Sequence, residues 1–173
     1  NYPFRTALLA YLRGGDADDF REAMETLREN YPPAVFYSAM NFLGTHDTPR
    51  VLTLLGTDHT PESKADRADY RLLPWERSRA AAKLRLASLV LFTFPGSPMI
   101  YYGDEAGMEG FEDPLNRGTY PWGHEDRDLL AWFSRLGALR NGYPVLQTGA
   151  LRWLCTAGPL LAFAREDGQV RLV

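Results

Sequence analysis

The sequence predicts an α/β fold in which buried strands alternate with helices, followed by a shorter antiparallel β segment. Three observations predict it. Two apolar runs, Val35 to Gly44 and Met99 to Tyr102, are too short for ordinary helices and read as buried strands. Around them lie segments whose apolar residues recur at helical spacing. After Pro144 the texture changes to short alternating runs, which read as antiparallel strands. Buried strands separated by helices argue for parallel pairing.

Taken in order, Phe4, Leu8 and Leu12 form one helical stripe, and Gly14-Gly15 supplies a stop. A second helix starts near Asp16, carries Phe20, Met24 and Leu27 on one face, and ends at Tyr31-Pro32-Pro33, because proline cannot continue the hydrogen-bond ladder. The strand from Val35 to Gly44 follows. Residues 57–76 are polar, contain Pro61 and Pro74, and read as a loop holding one helical turn. From Arg77 to Phe94 the spacing predicts a helix whose later half is apolar nearly all round, as suits burial between layers. Pro95 to Pro98 breaks it, and the second strand, Met99 to Tyr102, ends at Gly103-Asp104-Glu105. A long loop over 106–125 precedes a helix capped by Asp126 or Asp128. Its stripe is Leu129, Trp132, Phe133, Leu136 and Leu139, and Asn141-Gly142 with Pro144 stops it. Leu160 to Phe163 and the Glu166-Asp167-Gly168 turn signal mark the antiparallel tail.

Composition narrows the function classes. With 173 residues, 45% of them hydrophobic and 24% charged, the chain can bury one ordinary core. A net charge of −3 provides no basic stripe, which argues against nucleic acid as a partner. No stretch reaches the roughly 20 apolar residues that span a bilayer, so no membrane partner is expected. The single cysteine, Cys155, excludes an internal disulfide and reads as a buried, inert thiol in an apolar strand. The chain starts at Asn1 rather than Met and stops in a strand-like run, so it is expected to be part of a longer protein.

The chemistry concentrates at His46-Asp47, an imidazole and a carboxylate at the end of the first strand-like run. In barrels of alternating strands and helices, residues at the carboxyl ends of strands face the active site. A His-Asp dipeptide alone is commonly a polar loop; here it has companions. Phe42-Leu43-Gly44-Thr45-His46-Asp47 resembles the last active-site motif of the α-amylase family of glycoside hydrolases, and Pro95 through Glu105 resembles that family's eighth-strand signature. Asp113-Pro114-Leu115-Asn116-Arg117 with Tyr120-Pro121-Trp122 is similar to the substrate loop that follows. Asn30 to Pro33, Thr48-Pro49-Arg50 and Gly107 to Gly110 are most similar to the neopullulanase and cyclomaltodextrinase branch. Gly118-Thr119 departs from the bulkier residues expected there.

The resemblance implies the C-terminal part of a (β/α)8 TIM barrel, strands seven and eight with flanking helices, over residues 1–144. It implies the beginning of a C-terminal antiparallel β domain over 145–173. It further implies a retaining glycosidase acting on α-1,4-glucosidic bonds of malto-oligosaccharides, cyclodextrins or pullulan, with its nucleophilic Asp and acid/base Glu upstream of Asn1. The chain alone is therefore expected to be inactive. Asp47 takes the role of transition-state stabiliser, His46 donates to sugar hydroxyls, and Asp113 and Arg117 hold the next sugar. The expected partner is an α-glucan oligosaccharide; no cofactor and no metal are implied, and the compartment stays open, with the family favouring the cytoplasm. Severed from its usual neighbours, the chain is expected to self-associate or join a larger assembly.

Other readings of these residues remain on the table. Asp113 and Arg117 also read as a surface ion pair, and Trp122 as a sugar platform or as a core or loop-anchoring residue. Trp75, Trp132 and Trp153 read as packing, and Asp104-Glu105 as structural. Asp58-His59 joining His46 and Asp47 around a metal lacks any fixed spacing. The alternative for the whole chain is a non-catalytic carbohydrate-binding or structural remnant.

Overall fold

The computed structural model describes residues 1–173. The chain divides into two compact units. The first comprises Asn1–Phe42, Leu89–Met99 and Arg135–Val173; the second comprises Leu43–Ser88 and Ile100–Ser134. No helix is long and apolar enough to cross a membrane.

In the first unit, α1 (Tyr2–Leu12) is capped by the Asn1 side chain, which accepts from the Phe4 amide at 3.2 Å. Helix α2 (Ala17–Asn30) is capped by Asp16, which accepts from the Asp18 amide at 2.8 Å. Of the stripes expected from spacing, Phe4, Leu8, Phe20 and Met24 are fully buried, while Leu12 and Leu27 are half-buried. The two phenylalanine rings converge on Phe94, whose own ring lies 5.5 Å from Phe4, 5.7 Å from Phe20, 5.6 Å from Phe163 and 5.8 Å from Trp153. Trp153 is thus a packing residue, its indole N–H donating to Glu25 at 2.6 Å.

The run from Val35 to Gly44 departs from expectation. It opens with helix α3 (Pro33–Ser38) and contains only a three-residue strand, β1 (Met40–Phe42). Pro33 sits in the first helical turn, where its missing N–H costs nothing, and the Val35 and Phe36 amides donate to the Pro32 carbonyl. The second strand also shifts: β2 is Ser97–Met99, while Ile100 and Tyr102 are exposed. Gly96, with φ +110°, turns the chain directly into β2. A Cβ there would lie 2.7 Å from Asn41 Nδ2. β1 and β2 pair in parallel, Met40 with Ser97 and Phe42 with Met99, as expected of consecutive barrel strands. Neither has another strand beside it; Asn41 and Phe42 of β1 are buried, whereas β2 is exposed to half-buried.

The same unit holds the antiparallel tail. After the short helix α4 (Val145–Thr148), strands β3 (Ala150–Ala157), β4 (Leu160–Glu166) and β5 (Arg171–Leu172) pair in order. A register shift between Trp153 and Cys155 interrupts the in-and-out alternation, so Leu154 and Cys155 are both exposed. Cys155 is therefore not the buried thiol expected. Two guanidinium groups tie the unit together. Arg140 donates to the carbonyls of Phe92 (2.7 Å) and Gly96 (2.5 Å). Arg165, fully buried, donates to Thr93 (2.7 Å), Leu146 (2.9 Å) and Gly149 (2.8 Å). Most of these carbonyls lie at or just beyond helix ends, where a cation complements the dipole.

The second unit contains α5 (Val51–Gly56), the surface turn α6 (Lys64–Asp69) within the expected loop, and the first three quarters of α7 (Pro74–Thr93). It also contains the start of α8 (Arg127–Gly142). Asp126 caps α8 by accepting from the Leu129 amide at 3.1 Å. Trp132 packs on α7 and donates to Ser88 Oγ at 2.9 Å. Trp75 does not pack as expected: it is exposed, with the Arg79 guanidinium 5.1 Å above its ring. The polar loop before α7 is held by Glu109, which accepts from the Leu72 amide at 2.8 Å and pairs with Arg77.

Candidate functional site

Everything singled out for chemistry lies in the second unit. Gly44 to Arg50 follows β1 in the chain and folds into a tight polar turn. The Thr45 amide donates to Thr48 Oγ1 at 3.1 Å, and the Asp47 amide donates to Thr45 Oγ1 at 3.2 Å. These local side-chain bonds replace the ladder that would continue a strand. They leave His46 and Asp47 projecting, with side chains 66% and 58% exposed. His46 Nε2 stands 3.2 Å from Asp47 Oδ1.

The loop containing Leu115–Arg117, a single 3-10 turn, brings the other two residues to the same place. Arg117 Nε lies 3.1 Å from Asp113 Oδ1, and the same N–H donates to the His46 carbonyl at 3.1 Å. Its Nη2 is 3.9 Å from Asp47 Oδ1. Segments 70 residues apart in the chain therefore present one imidazole, two carboxylates and one guanidinium as a connected, solvent-facing cluster. Planar donors flanked by acceptors match the vicinal hydroxyls of a sugar.

Beneath this cluster lies a layer that spacing alone does not reveal. Asn116, fully buried, donates from Nδ2 to the carbonyls of His46 (2.7 Å) and Thr48 (2.8 Å). Arg50 and Asp104 form a buried pair at 3.2 Å. The Arg50 guanidinium also donates to the Tyr102 carbonyl and lies 4.3 Å and 4.7 Å from the ring centres of Tyr101 and Tyr102. Burial, then the hydrogen bond with Tyr102, raises the Tyr101 hydroxyl above its ordinary range, leaving it a neutral group at physiological pH. Thr48-Pro49-Arg50 was visible as a motif, yet nothing in it named Arg50's partner 54 residues on. Asp104, read as structural, is buried in this pair, whereas Glu105 beside it is half-buried.

Trp122 is 78% exposed, its ring centre 4.5 Å from that of Tyr120, which excludes a core role for it. No group of three or more His, Cys, Asp or Glu side chains stands close enough to hold a metal ion, so Asp58-His59 does not join His46 and Asp47 in such a site.

The family model described as the alpha amylase catalytic domain matches residues 1–129. An amylopullulanase from Thermoanaerobacter thermohydrosulfuricus is 39% identical over 96% of this chain and 12% of its own length. A cyclomaltodextrinase from Geobacillus thermopakistaniensis is 34% identical over 97% of this chain and 26% of its own. Among solved structures, the debranching enzyme of Nostoc punctiforme superposes with a TM-score of 0.80 at 26% identity, covering 99% of this chain and 34% of that one. The chain thus spans between about an eighth and a third of the relatives it matches here.

Proposed function

The chain belongs to the α-amylase family, and from that premise we propose that it supplies the closing part of a retaining α-glucan hydrolase. In this reading residues 1–144 are the last part of the catalytic barrel, and 145–173 begin a C-terminal β domain. The observation that carries the proposal is the convergence of His46, Asp47, Asp113 and Arg117 on one exposed spot.

Retaining glycosidases pass through an oxocarbenium-like transition state between two carboxyl groups, a nucleophile and an acid/base. Asp47 is assigned neither role. Its carboxylate accepts hydroxyl hydrogen bonds from the sugar at the cleavage point and stabilises the positive charge that develops on the distorted ring. His46 donates to hydroxyls of the same sugar. The Asp113–Arg117 pair presents acceptor and donor to the next one. The substrates that fit are malto-oligosaccharides, cyclodextrins or pullulan, which is also the range suggested by the names of the relatives.

The test is Asp47→Asn in an active family barrel carrying these residues. We expect kcat to fall about 10²–10³-fold, as for loss of one preorganised charge-stabilising group. Because Asp47 is exposed, stability should change by no more than about 0.5 kcal/mol. A near-normal rate would sink the assignment. The pure 173-residue chain should release no sugar from maltotriose, and turnover by it would refute the division of roles.

A further inference from the structure

Two of the residues proposed to meet the sugar, His46 and Asp47, project from a seven-residue turn, and exposed side chains on such a turn are ordinarily mobile. Here the turn is anchored from below by groups that are almost wholly buried. Arg50, three residues after Asp47, has a side chain with no exposed surface, and that of Asp104 is 4% exposed. The Arg50 amide donates to the Gly110 carbonyl at 2.9 Å. Its guanidinium reaches across to Asp104 Oδ1 and the Tyr102 carbonyl. Its Nε and Nη2 have no hydrogen-bond partner, and the faces of Tyr101 and Tyr102 lie against the group instead.

Asp104 in turn lies directly under the start of the turn. A Cβ built on Gly44 would meet Asp104 Oδ2 at 2.7 Å, so the backbone approaches this carboxylate as closely as only glycine allows. The buried pair therefore has one end in the turn, at Arg50, and the other beneath it, at Asp104 and Gly44. A buried ion pair contributes little net stability compared with apolar side chains of the same volume, and its best-attested use is to specify one arrangement over others. Three contacts fix this one: a carboxylate below Gly44, a guanidinium against the edge-packed rings of Tyr101 and Tyr102, and an amide tied to Gly110.

We propose that the Arg50–Asp104 pair is a positioning device for Asp47: it sets the height and orientation of the His46-Asp47 turn against the substrate. This rests on the reading of Asp47 given above. Neither residue meets the sugar; both act through the backbone of residues 44–50. Lysine in place of Arg50 keeps the charge, but its ammonium reaches one atom less far than Nη1, which makes both hydrogen bonds, and lacks the planar group that lies over the two rings.

The experiment compares Arg50→Lys and Gly44→Ala with the parent by amide hydrogen exchange on the 173-residue chain, reading residues 43–50 against residues 80–88 of α7. We expect exchange in 43–50 to accelerate about tenfold or more while 80–88 is unchanged. Unchanged exchange in 43–50, or equal acceleration in both segments, would overturn the proposal. Gly44→Ala keeps both charges and decides the matter if Arg50→Lys fails to fold. In an active barrel carrying these residues, Arg50→Lys should lower kcat on maltotriose about tenfold or more with KM held within about twofold. An unchanged kcat beside a loosened turn would also overturn it. The exchange measurement needs no sugar, so a failure of the sugar-handling reading shows separately, as a normal rate in Asp47→Asn.

Discussion

Replacing Arg165 by methionine sets two large terms of opposite sign against each other. Methionine replaces the unbranched stem of the arginine, stops two atoms short of its terminal nitrogens and donates nothing. Burial, followed by repulsion from Arg140, pushes the Arg165 guanidinium down to about 10, well below its ordinary range. That displacement corresponds to roughly 3 kcal/mol by which the folded state disfavours the charge, and methionine removes it. Against this stand the carbonyls of Thr93, Leu146 and Gly149, all of which lose their donor. An orphaned buried acceptor costs about 1–3 kcal/mol, so three cost roughly 6 kcal/mol at the middle of the range. The carbonyl term wins, and Arg165→Met should be destabilised by about 2–3 kcal/mol. Followed by circular dichroism in urea, where slopes near 2 kcal/mol/M are usual, the midpoint should fall by about 1 M. The pH dependence supplies a second check. The folded protein gives up this proton before the unfolded chain does, so the penalty is constant below pH 10. It fades as the pH rises above about 10, and wild type should gain stability there relative to the variant. A variant as stable as wild type would refute the reasoning, since it would mean the buried cation costs as much as its hydrogen bonds return.

Two further outcomes follow from the first unit. Phe94→Ala removes the ring on which Phe4, Phe20, Trp153 and Phe163 converge and should cost about 3–5 kcal/mol, whereas Phe94→Leu should cost under about 2; a denaturation series showing equal small losses would disprove the packing account. β1 and β2 each have a single strand partner, and Met40, Ile100 and Tyr102 are exposed, so sedimentation at about 10 μM should show species heavier than one 19.5 kDa chain; a clean monomer would contradict this.

Much of this arrangement was legible because it rests on period and punctuation. Phe4-Leu8 and Phe20-Met24 are buried as their spacing demands, and Asp16 and Asp126 cap the helices they precede. Short apolar runs were less legible. Val35-Phe36 looks like a strand, but a proline in the first turn makes a helix there, and a run this short carries no period to decide between them. The position of β2 hinged on Gly96, whose positive φ starts the strand two residues earlier than Pro98 suggested. Cys155 was misjudged because a one-residue register shift reverses the face that alternation assigns. At the site, the exposed cluster was readable as linked motifs. Its buried support was not, since Arg50, Asp104 and Asn116 acquire meaning only when distant loops meet.

The ring cluster at Phe94 also has a consequence in time. Ribosomes add residues at roughly 5–20 per second, so Phe163, 69 positions behind Phe94, is made roughly 3–14 s later. Until then Phe4, Phe20 and Phe94 have emerged without the strand that completes their enclosure, and the nascent chain presents an open aromatic surface. A holding chaperone that recognises exposed aromatics has those seconds in which to act, and synthesis stopped anywhere before β4 leaves that surface permanently open.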